Sequence, residues 1–268
     1  MTAAEVAEQL SEENIPLADI RTILSGVFSF PFDRLGIDGD KDIATKEEYK
    51  LVLAKLKDGV PPVYLAGYDI IRGLKIYLSE DVLIPRTETI SFLYGDIQGN
   101  YDFSNKKVLD LCTGSGIIAL SVKKLFPASI VTASDISDKA LALAKKSAEE
   151  NSLSIVFKKS NFLEDIQDRF DVILSNPPYI EEGSKDVIAP YEPPLALYSG
   201  KDGMDSYRAI FSLLDSRILK KGIAFFELEA SNADKVKDLF LSFYPEGYDC
   251  SFILDMENKK RYLVAKKR

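Results

Sequence analysis

The segment Asn176-Pro177-Pro178-Tyr179 has residue types and spacing that could act on a planar nitrogen group. The side-chain oxygen of Asn176 and the backbone carbonyl of Pro177 can accept the two N–H bonds of an NH2 group, while Tyr179 can lie against its face. The segment directly follows the apolar residues 170–175, which are typical of a buried strand. Two prolines can also simply end a strand, although a turn needs neither the Asn nor the Tyr. The motif therefore predicts a catalytic and substrate site at the carboxyl edge of a sheet.

A second candidate site lies in the glycine-rich residues 108–119, where a predicted strand runs into a turn and a helix. Its glycines let the backbone approach a ligand, and the helix begins with free amides. This pattern fits a tight turn alone, a dinucleotide site or an S-adenosylmethionine site. Asp135, at the tip of the next strand, could bind the ribose of either cofactor. The candidate cofactor-binding residues of the turn are Asp110, Cys112, Thr113, Gly114, Ser115 and Gly116.

Asp110 favours S-adenosylmethionine over a dinucleotide. Its carboxylate lies inside a predicted buried strand, where an acid without a hydrogen-bond donor is costly. The ammonium group of a bound methionine moiety would be a natural donor.

The elements that must position these residues begin at Lys106, where short apolar strands alternate with helices. This alternation predicts βαβ units and an α/β fold with a mostly parallel, Rossmann-like sheet. The connection between the last two strands is too short for a crossover helix, so they should form an antiparallel edge hairpin. The predicted strands are residues 108–111, 130–134, 155–158, 170–175, 223–228, 251–254 and 262–265.

The N-terminal part of the chain is predicted to be a small helical bundle. Thr2 with Glu5, and Thr45 with Glu48, have the spacing of capping boxes at helix starts. Residues 61–90 are richer in Gly, Pro and β-branched residues, which favours a β-hairpin connector with strands at residues 74–78 and 81–85. The predicted domains are therefore residues 1–60, the helical bundle, 61–90, the connector, and 91–268, the α/β body.

Composition excludes several classes of chemistry. The 268 residues include no histidine, so imidazole acid–base catalysis, Ser-His-Asp triads and His-ligated zinc are impossible, and we expect no metal site. A net charge of -8 argues against a broad electrostatic grip on nucleic acid. Two distant cysteines and the lack of a signal-peptide pattern favour a reducing, cytoplasmic location, and no apolar run has the length of a membrane span.

Together, the glycine-rich turn, the acidic tip of the second strand and the Asn-Pro-Pro-Tyr motif resemble S-adenosylmethionine-dependent methyltransferases of planar nitrogens. Other segments resemble the HemK/PrmC family, the protein-glutamine methyltransferases that modify the Gly-Gly-Gln loop of peptide chain release factors. The resemblance spans essentially the whole chain. The segments that resemble those of the family are residues 62–67, residues 82–86 with Glu88, residues 191–197, Gly200, residues 202–203 and residues 207–208.

The resemblance implies S-adenosyl-L-methionine as cofactor, S-adenosyl-L-homocysteine as product and a release factor as protein substrate of a monomeric enzyme. It implies that residues 1–60 recognise the substrate and that Arg86, Glu88 and Glu192 lie around the substrate loop. It also implies that Asn161 bonds the adenine amine and that Phe162 packs on the ring, although a simple strand end is the alternative there.

The sequence departs from the family pattern at four places. Thr87 replaces a proline, and Ile90 replaces an acidic residue. Cys112 stands where many relatives have glycine, and residues 226–229 replace the Glu-Ile-Gly that usually ends the fifth strand. Three other functions stay open at this point: a ribosomal-protein glutamine methyltransferase, an adenine-N6 DNA methyltransferase, and a binding module without catalysis. The acidic net charge, and the lack of room for a base-reading domain after Tyr179, disfavour the DNA enzyme.

Overall fold

The computed structural model describes residues 1–184 and 190–268. Contacts divide the chain into two compact units, Met1–Glu80 and Asp81–Arg268. The predicted boundaries at residues 60/61 and 90/91 stay predictions. In the first unit the helices are α1 (Ala3–Glu12), α2 (Leu17–Thr22) with a π-helical turn (Ile23–Val27), a 3-10 turn (Phe32–Arg34), α3 (Leu35–Asp38), α4 (Lys46–Lys57) and α5 (Pro62–Ala66).

Both predicted helix starts in the first unit are confirmed. The Thr2 hydroxyl accepts a hydrogen bond from the Glu5 amide, and the Thr45 hydroxyl accepts one from the Glu48 amide. In each case the glutamate side chain accepts a hydrogen bond from the amide of the capping threonine, which completes the box. The helices bury a shared apolar core made of Val6, Leu10, Ile20, Ile23, Leu24 and Tyr49.

The hairpin lies upstream of its predicted position. Strand β1 (Tyr68–Ile71) pairs with β2 (Leu74–Tyr77), and Arg72 and Gly73 both have positive φ in the turn between them. The predicted strand at residues 81–85 is wrong. A two-residue turn in which both residues have positive φ is normally indicated by an Asn-Gly or Asp-Gly sequence. Here the first position is an arginine, so the sequence does not indicate the turn. The amide of Ile84 instead donates to the Glu192 carboxylate, 3.1 Å away.

The second unit contains a mostly parallel sheet of seven strands, counted over the described residues, in the order β5-β4-β3-β6-β7-β9-β8. The predicted fold is therefore confirmed. All seven predicted strands are present, and the last two form the expected antiparallel hairpin at the sheet's edge. The strands are β3 (Lys107–Leu111), β4 (Ile130–Asp135), β5 (Val156–Lys159), β6 (Phe170–Ser175), β7 (Ile218–Glu227), β8 (Tyr248–Leu254) and β9 (Lys260–Lys267).

Apolar side chains cover both faces of the central strands. Phe225 packs against Phe92, whereas its neighbour Phe226 packs against Phe211, because successive strand residues point to opposite faces. The helices of this unit are α6 (Thr87–Ser91) with a π-helical turn (Phe92–Ile97), α7 (Gln98–Asn100), α8 (Ile117–Leu125), α9 (Asp138–Glu150), α10 (Pro194–Leu197), α11 (Asp205–Arg217), and a 3-10 turn (Ala230–Asn232) that leads into α12 (Ala233–Phe243). Over the described ranges, every helix is too short or too polar to cross a membrane.

Candidate active site

Parallel pairing brings the predicted site residues to one edge of the sheet. Strand β3 pairs in parallel with β4 and with β6, and β4 pairs in parallel with β5, so all four strands end on the same side. A cavity of about 350 Å³ opens there. Its lining includes these predicted residues: Cys112, Thr113, Gly114, Ser115, Asp135, Asn161, Phe162, Asn176, Pro178 and Arg86.

The two glycines of the glycine-rich turn have different structural roles. Gly114 has a φ of 51°, and a Cβ placed on it would meet no heavy atom within 4 Å. Gly116 has a φ of 85° and does not line the cavity. A Cβ there would lie 2.7 Å from Leu120 Cδ1 and 2.9 Å from Ala144 Cβ. Gly116 therefore lets α8 and α9 pack closely, which is a different role from the cofactor contact predicted for it.

Backbone amides hold Asp135 at the cavity. Its Oδ2 accepts a hydrogen bond from the Gly114 amide, and its Oδ1 accepts one from the Ser137 amide, each at 2.9 Å. Burial raises the pKa of Asp135, while these amide bonds act in the opposite direction. Each carboxylate oxygen retains a lone pair, so Asp135 can still accept hydrogen bonds from ligand hydroxyls.

Asp110 lies in β3 and is fully buried, as the sequence predicts, but its side chain is not part of the cavity lining. Its Oδ2 accepts hydrogen bonds from the Thr113 hydroxyl at 2.5 Å and from the Ala119 amide at 2.9 Å. The protein thus supplies two donors of its own, and the ligand ammonium expected as a donor stays a prediction. Among the described residues, Oδ1 is buried without a hydrogen-bond partner, and burial raises the pKa of Asp110 to about 7.

The end of β5 places Asn161 and Phe162 beside the cavity, as predicted. Phe162 has a φ of 46°, which is unusual for an aromatic residue. The Ser160 hydroxyl donates to the Phe162 carbonyl at 2.6 Å and accepts from the Asp165 amide at 3.1 Å. These bonds hold the strained backbone that presents the Phe162 ring.

The Asn-Pro-Pro-Tyr segment is only partly exposed to the cavity. Asn176 and Pro178 line it, whereas Pro177 is buried and the partly buried Tyr179 packs against the apolar core. Burial also raises the pKa of Tyr179. Its carbonyl oxygen would lie 2.5 Å from a Cβ on Gly203, which explains the glycine at that position. The Asn176 Nδ2 donates to the Thr89 hydroxyl at 3.4 Å.

The three charged residues expected around the substrate loop differ in their surroundings. Arg86 and Glu192 form an ion pair and hydrogen bond with each other. Glu192 is buried and also accepts a hydrogen bond from Ile84, so its carboxylate is already occupied by the protein. Glu88 is exposed and does not line the cavity. The pair fixes residues 84–86 to the segment that begins α10.

The electrostatics of the cavity favour a positively charged ligand. Its described lining contains two carboxylates and one cation, but Asp81 pairs with Lys139 and Arg86 pairs with Glu192. Asp135 is the lining charge that has no ion pair among the described residues. Burial and the nearby Asp135 raise the pKa of the Cys112 thiol well above its usual value. The thiol is therefore neutral, which argues against a nucleophilic role for Cys112 although it lines the cavity.

Sequence reasoning missed Thr89 as a member of the site. The residue is buried, lines the cavity and contacts the Asn176 side chain. It lies in the segment that carries the family resemblance, three residues after Arg86, so a signal existed. Ile136 and Tyr198 were also missed, and their apolar surfaces add to the lining.

Comparisons with known proteins agree with this geometry. A model of the family described as "Methyltransferase small domain" matches residues 91–190. The chain is 40% identical over 192 residues to the release factor glutamine methyltransferase of Flavobacterium psychrophilum, covering 68% of this chain and 67% of that protein. It is 35% identical over 213 residues to the protein of the same name from Streptococcus pneumoniae, covering 77% and 76%. The crystal structure of a methyltransferase from Pyrococcus furiosus has a TM-score of 0.56 and 19% identity, covering 84% of this chain and 99% of that chain.

The sheet is Rossmann-like, and the relatives make the chain a methyltransferase. Their identities and shared name narrow the class to one family. The chain belongs to the release factor glutamine methyltransferase family, and the resemblance stated from its sequence is confirmed.

The two glycines of the turn predict different losses of stability. Gly116→Ala should lower the free energy of unfolding by about 3 kcal/mol, because it combines an unfavourable φ with overpacking. Gly114→Ala should lower it by about 1 kcal/mol, since only the backbone cost applies. Urea unfolding of both variants measures the difference, and equal losses would contradict the packing role of Gly116.

The burial of Asp110 predicts that the free energies of unfolding of the wild type and Asp110→Asn differ by an amount that depends on pH. A raised folded-state pKa means that the native state holds the proton more tightly than the unfolded state does. The stability contributed by this group is therefore lost as the pH rises from its ordinary pKa of 3.8 to about 7. Asparagine is neutral throughout, so the variant should become more stable relative to the wild type across that window. Urea unfolding at several pH values measures this, and a constant difference would refute the burial argument.

Proposed function

We propose that this chain binds S-adenosylmethionine in the cavity and transfers its methyl group to the side-chain nitrogen of the glutamine in the Gly-Gly-Gln loop of peptide chain release factors. One observation carries the proposal. The glycine-rich turn and Asn176, which belong to separate βα connections, line a single cavity at the carboxyl edge of the sheet. A cofactor and a planar amide can therefore meet there.

The lining fits the proposed cofactor. The Asp135 carboxylate suits the positive charge of the cofactor, and the volume of the cavity is that of a small-molecule site. Asp135 would accept hydrogen bonds from the ribose hydroxyls, while Asn161 and Phe162 would hold the adenine. Residues 112–115 would contact the methionine portion. When bound, S-adenosylmethionine supplies an electrophilic methyl group.

Asn176 and Pro177 would orient the substrate amide. An amide nitrogen is a weak nucleophile because its lone pair is delocalised into the carbonyl. The Asn176 Oδ1 and the Pro177 carbonyl can accept its two N–H bonds and hold the nitrogen toward the electrophile, which supplies proximity and orientation. The nitrogen becomes positive during transfer, so both oxygens bind the transition state more strongly than the neutral amide. The proton then leaves to solvent.

Other parts of the chain would recognise the protein substrate. We assign substrate recognition to residues 1–60, a connecting role to residues 61–90 and the catalytic body to residues 91–268. The Arg86–Glu192 pair would shape the approach to the cavity, with Glu88 exposed beside it. Pro178 would border the glutamine, and Tyr179 would support the loop from beneath.

A release factor is preferred over a ribosomal protein as substrate because the two relatives described above, at 40% and 35% identity, carry the former name. The net charge of -8 also disfavours a nucleic-acid substrate. We further propose a monomer in the cytoplasm, where the two free cysteines would stay reduced.

Transfer of labelled methyl from S-adenosylmethionine to purified unmethylated release factor tests the function. A release factor with Gln→Asn in its Gly-Gly-Gln loop is the control, with a ribosomal protein and duplex DNA in parallel. Label on the release factor that disappears in the control supports the proposal. Label only on another acceptor, or cofactor binding without transfer, would refute it.

Two alanine variants should separate catalysis from cofactor binding. Asn176→Ala should lower kcat by about 100-fold and change the Kd for S-adenosylmethionine by less than about threefold, because it removes one transition-state acceptor. Asp135→Ala should weaken cofactor binding by about tenfold or more, since a charged hydrogen-bond acceptor is lost. Steady-state kinetics and calorimetric binding measure both effects.

Asn100→Ala serves as the matched control, because it removes an exposed amide side chain outside the cavity lining. It should change neither quantity. Equal losses of kcat and of cofactor affinity in Asn176→Ala would contradict the role assigned to Asn176.

A further inference from the structure

A chain of buried hydrogen bonds leads from Asn176 into the protein. The Asn176 Nδ2 lies 3.4 Å from the Thr89 hydroxyl, and that hydroxyl donates to Oε2 of Glu227 at 2.6 Å. The Tyr262 hydroxyl donates to the same Oε2. Glu227 is 3% exposed and lies at the end of β7. Burial raises the pKa of its carboxyl, while the hydrogen bonds from Thr89 and Tyr262 act in the opposite direction and make it the acceptor for both hydroxyls.

This chain of bonds has a defined polarity. A threonine hydroxyl has one proton, and here that proton is given to Glu227. The Thr89 oxygen can therefore only accept a hydrogen bond from Asn176. The end of the Asn176 amide that faces Thr89 must be the NH2 group, and the carbonyl end, Oδ1, must face away from Thr89.

The orientation matters because the two ends of an asparagine amide have the same shape and opposite hydrogen-bonding character. With Oδ1 free, Asn176 can accept an N–H bond from a substrate amide. With the amide rotated by half a turn, an NH2 group would meet the NH2 group of the substrate, and neither could accept. Nothing within the Asn176 side chain itself favours one of these two amide orientations over the other.

The platform that carries Thr89 is rigid. Thr89 lies on α6, and Phe92, at the end of that helix, stacks on the Tyr262 ring with centroids 3.7 Å apart. The backbone carbonyl of Glu227 accepts a hydrogen bond from the Tyr207 hydroxyl at 2.6 Å. Glu227 is thus held through its side chain and its backbone. Its carboxylate can therefore accept the Thr89 hydroxyl proton from a fixed position, which sets the direction of that hydrogen bond.

We propose that Glu227 and Thr89 are positioning residues that fix the amide of Asn176 with its oxygen toward the substrate. The proposal deepens the proposed function and rests on it, because the orientation of Asn176 matters only if this residue binds an amide NH2 group. The assignment differs from a general stabilising role in that the direction of the hydrogen bonds carries the effect.

Variants of Thr89 test the proposal. Thr89→Val keeps the shape of the side chain and removes the hydroxyl, so kcat for methyl transfer should fall by about tenfold or more. Thr89→Ser keeps the hydroxyl and should restore the rate to within about threefold of the wild type. The Kd for S-adenosylmethionine should change little in either variant. Thr89→Ala provides a second hydroxyl deletion if the valine variant does not fold.

Ser129→Ala is the matched control, because it removes a buried hydroxyl that donates to the Phe126 carbonyl at 2.7 Å, outside the cavity lining. It should lower the Tm and leave kcat within about threefold of the wild type. A loss of kcat in Ser129→Ala as large as that in Thr89→Val would overturn the positioning role, since the loss of any buried hydroxyl would then have the same effect. Wild-type kcat in both Thr89→Val and Thr89→Ala would also overturn it.

The wild type distinguishes this failure from failure of the proposed function. If the wild type transfers methyl to the release factor and the Thr89 variants match it, the positioning role alone is wrong. If the wild type transfers no methyl, the proposed function is wrong and the positioning role falls with it.

Discussion

The parallel pairing of β3 with β4 on one side and β6 on the other is the interaction on which the site depends. Parallel strands must end at the same edge, so the turns that follow them meet there regardless of their distance in sequence. The turn after β3 supplies the glycines, β4 ends in Asp135, and β6 leads into Asn176. The rest of the second unit packs on this sheet and excludes water from it.

The cavity combines two requirements that oppose each other. A cationic cofactor is best held by acidic and polar groups, whereas an uncharged amide needs a small number of oriented acceptors in a site that excludes water. In the proposed function the lining separates these tasks, with Asp135 at the end of β4 and Phe162 after β5 assigned to the cofactor, and Asn176 after β6 assigned to the amide. The buried Asp110 lies outside the lining, where the Thr113 hydroxyl and the Ala119 amide donate to its Oδ2.

Local patterns in the sequence predicted the strands, the capping boxes and the residues of the glycine-rich and Asn-Pro-Pro-Tyr segments. These features depend on neighbours within a few positions. The missed features join distant residues: Thr89 bonds Glu227 138 positions away, and Arg86 pairs with Glu192 106 positions away. Such pairs leave no local periodicity. The hairpin was misplaced for another reason, because Arg72 occupies a turn position that usually carries Asn, Asp or Gly.

The most direct measurement identifies the atom that receives the methyl group. A release factor incubated with this chain and S-adenosylmethionine is digested and examined by tandem mass spectrometry, and the modified peptide is then hydrolysed in acid. The account predicts one methyl group on the glutamine of the Gly-Gly-Gln loop and release of methylamine on hydrolysis, since an N-methyl amide yields that amine. A methyl group on another residue, or one that stays on the amino acid after hydrolysis, would contradict transfer to an amide nitrogen.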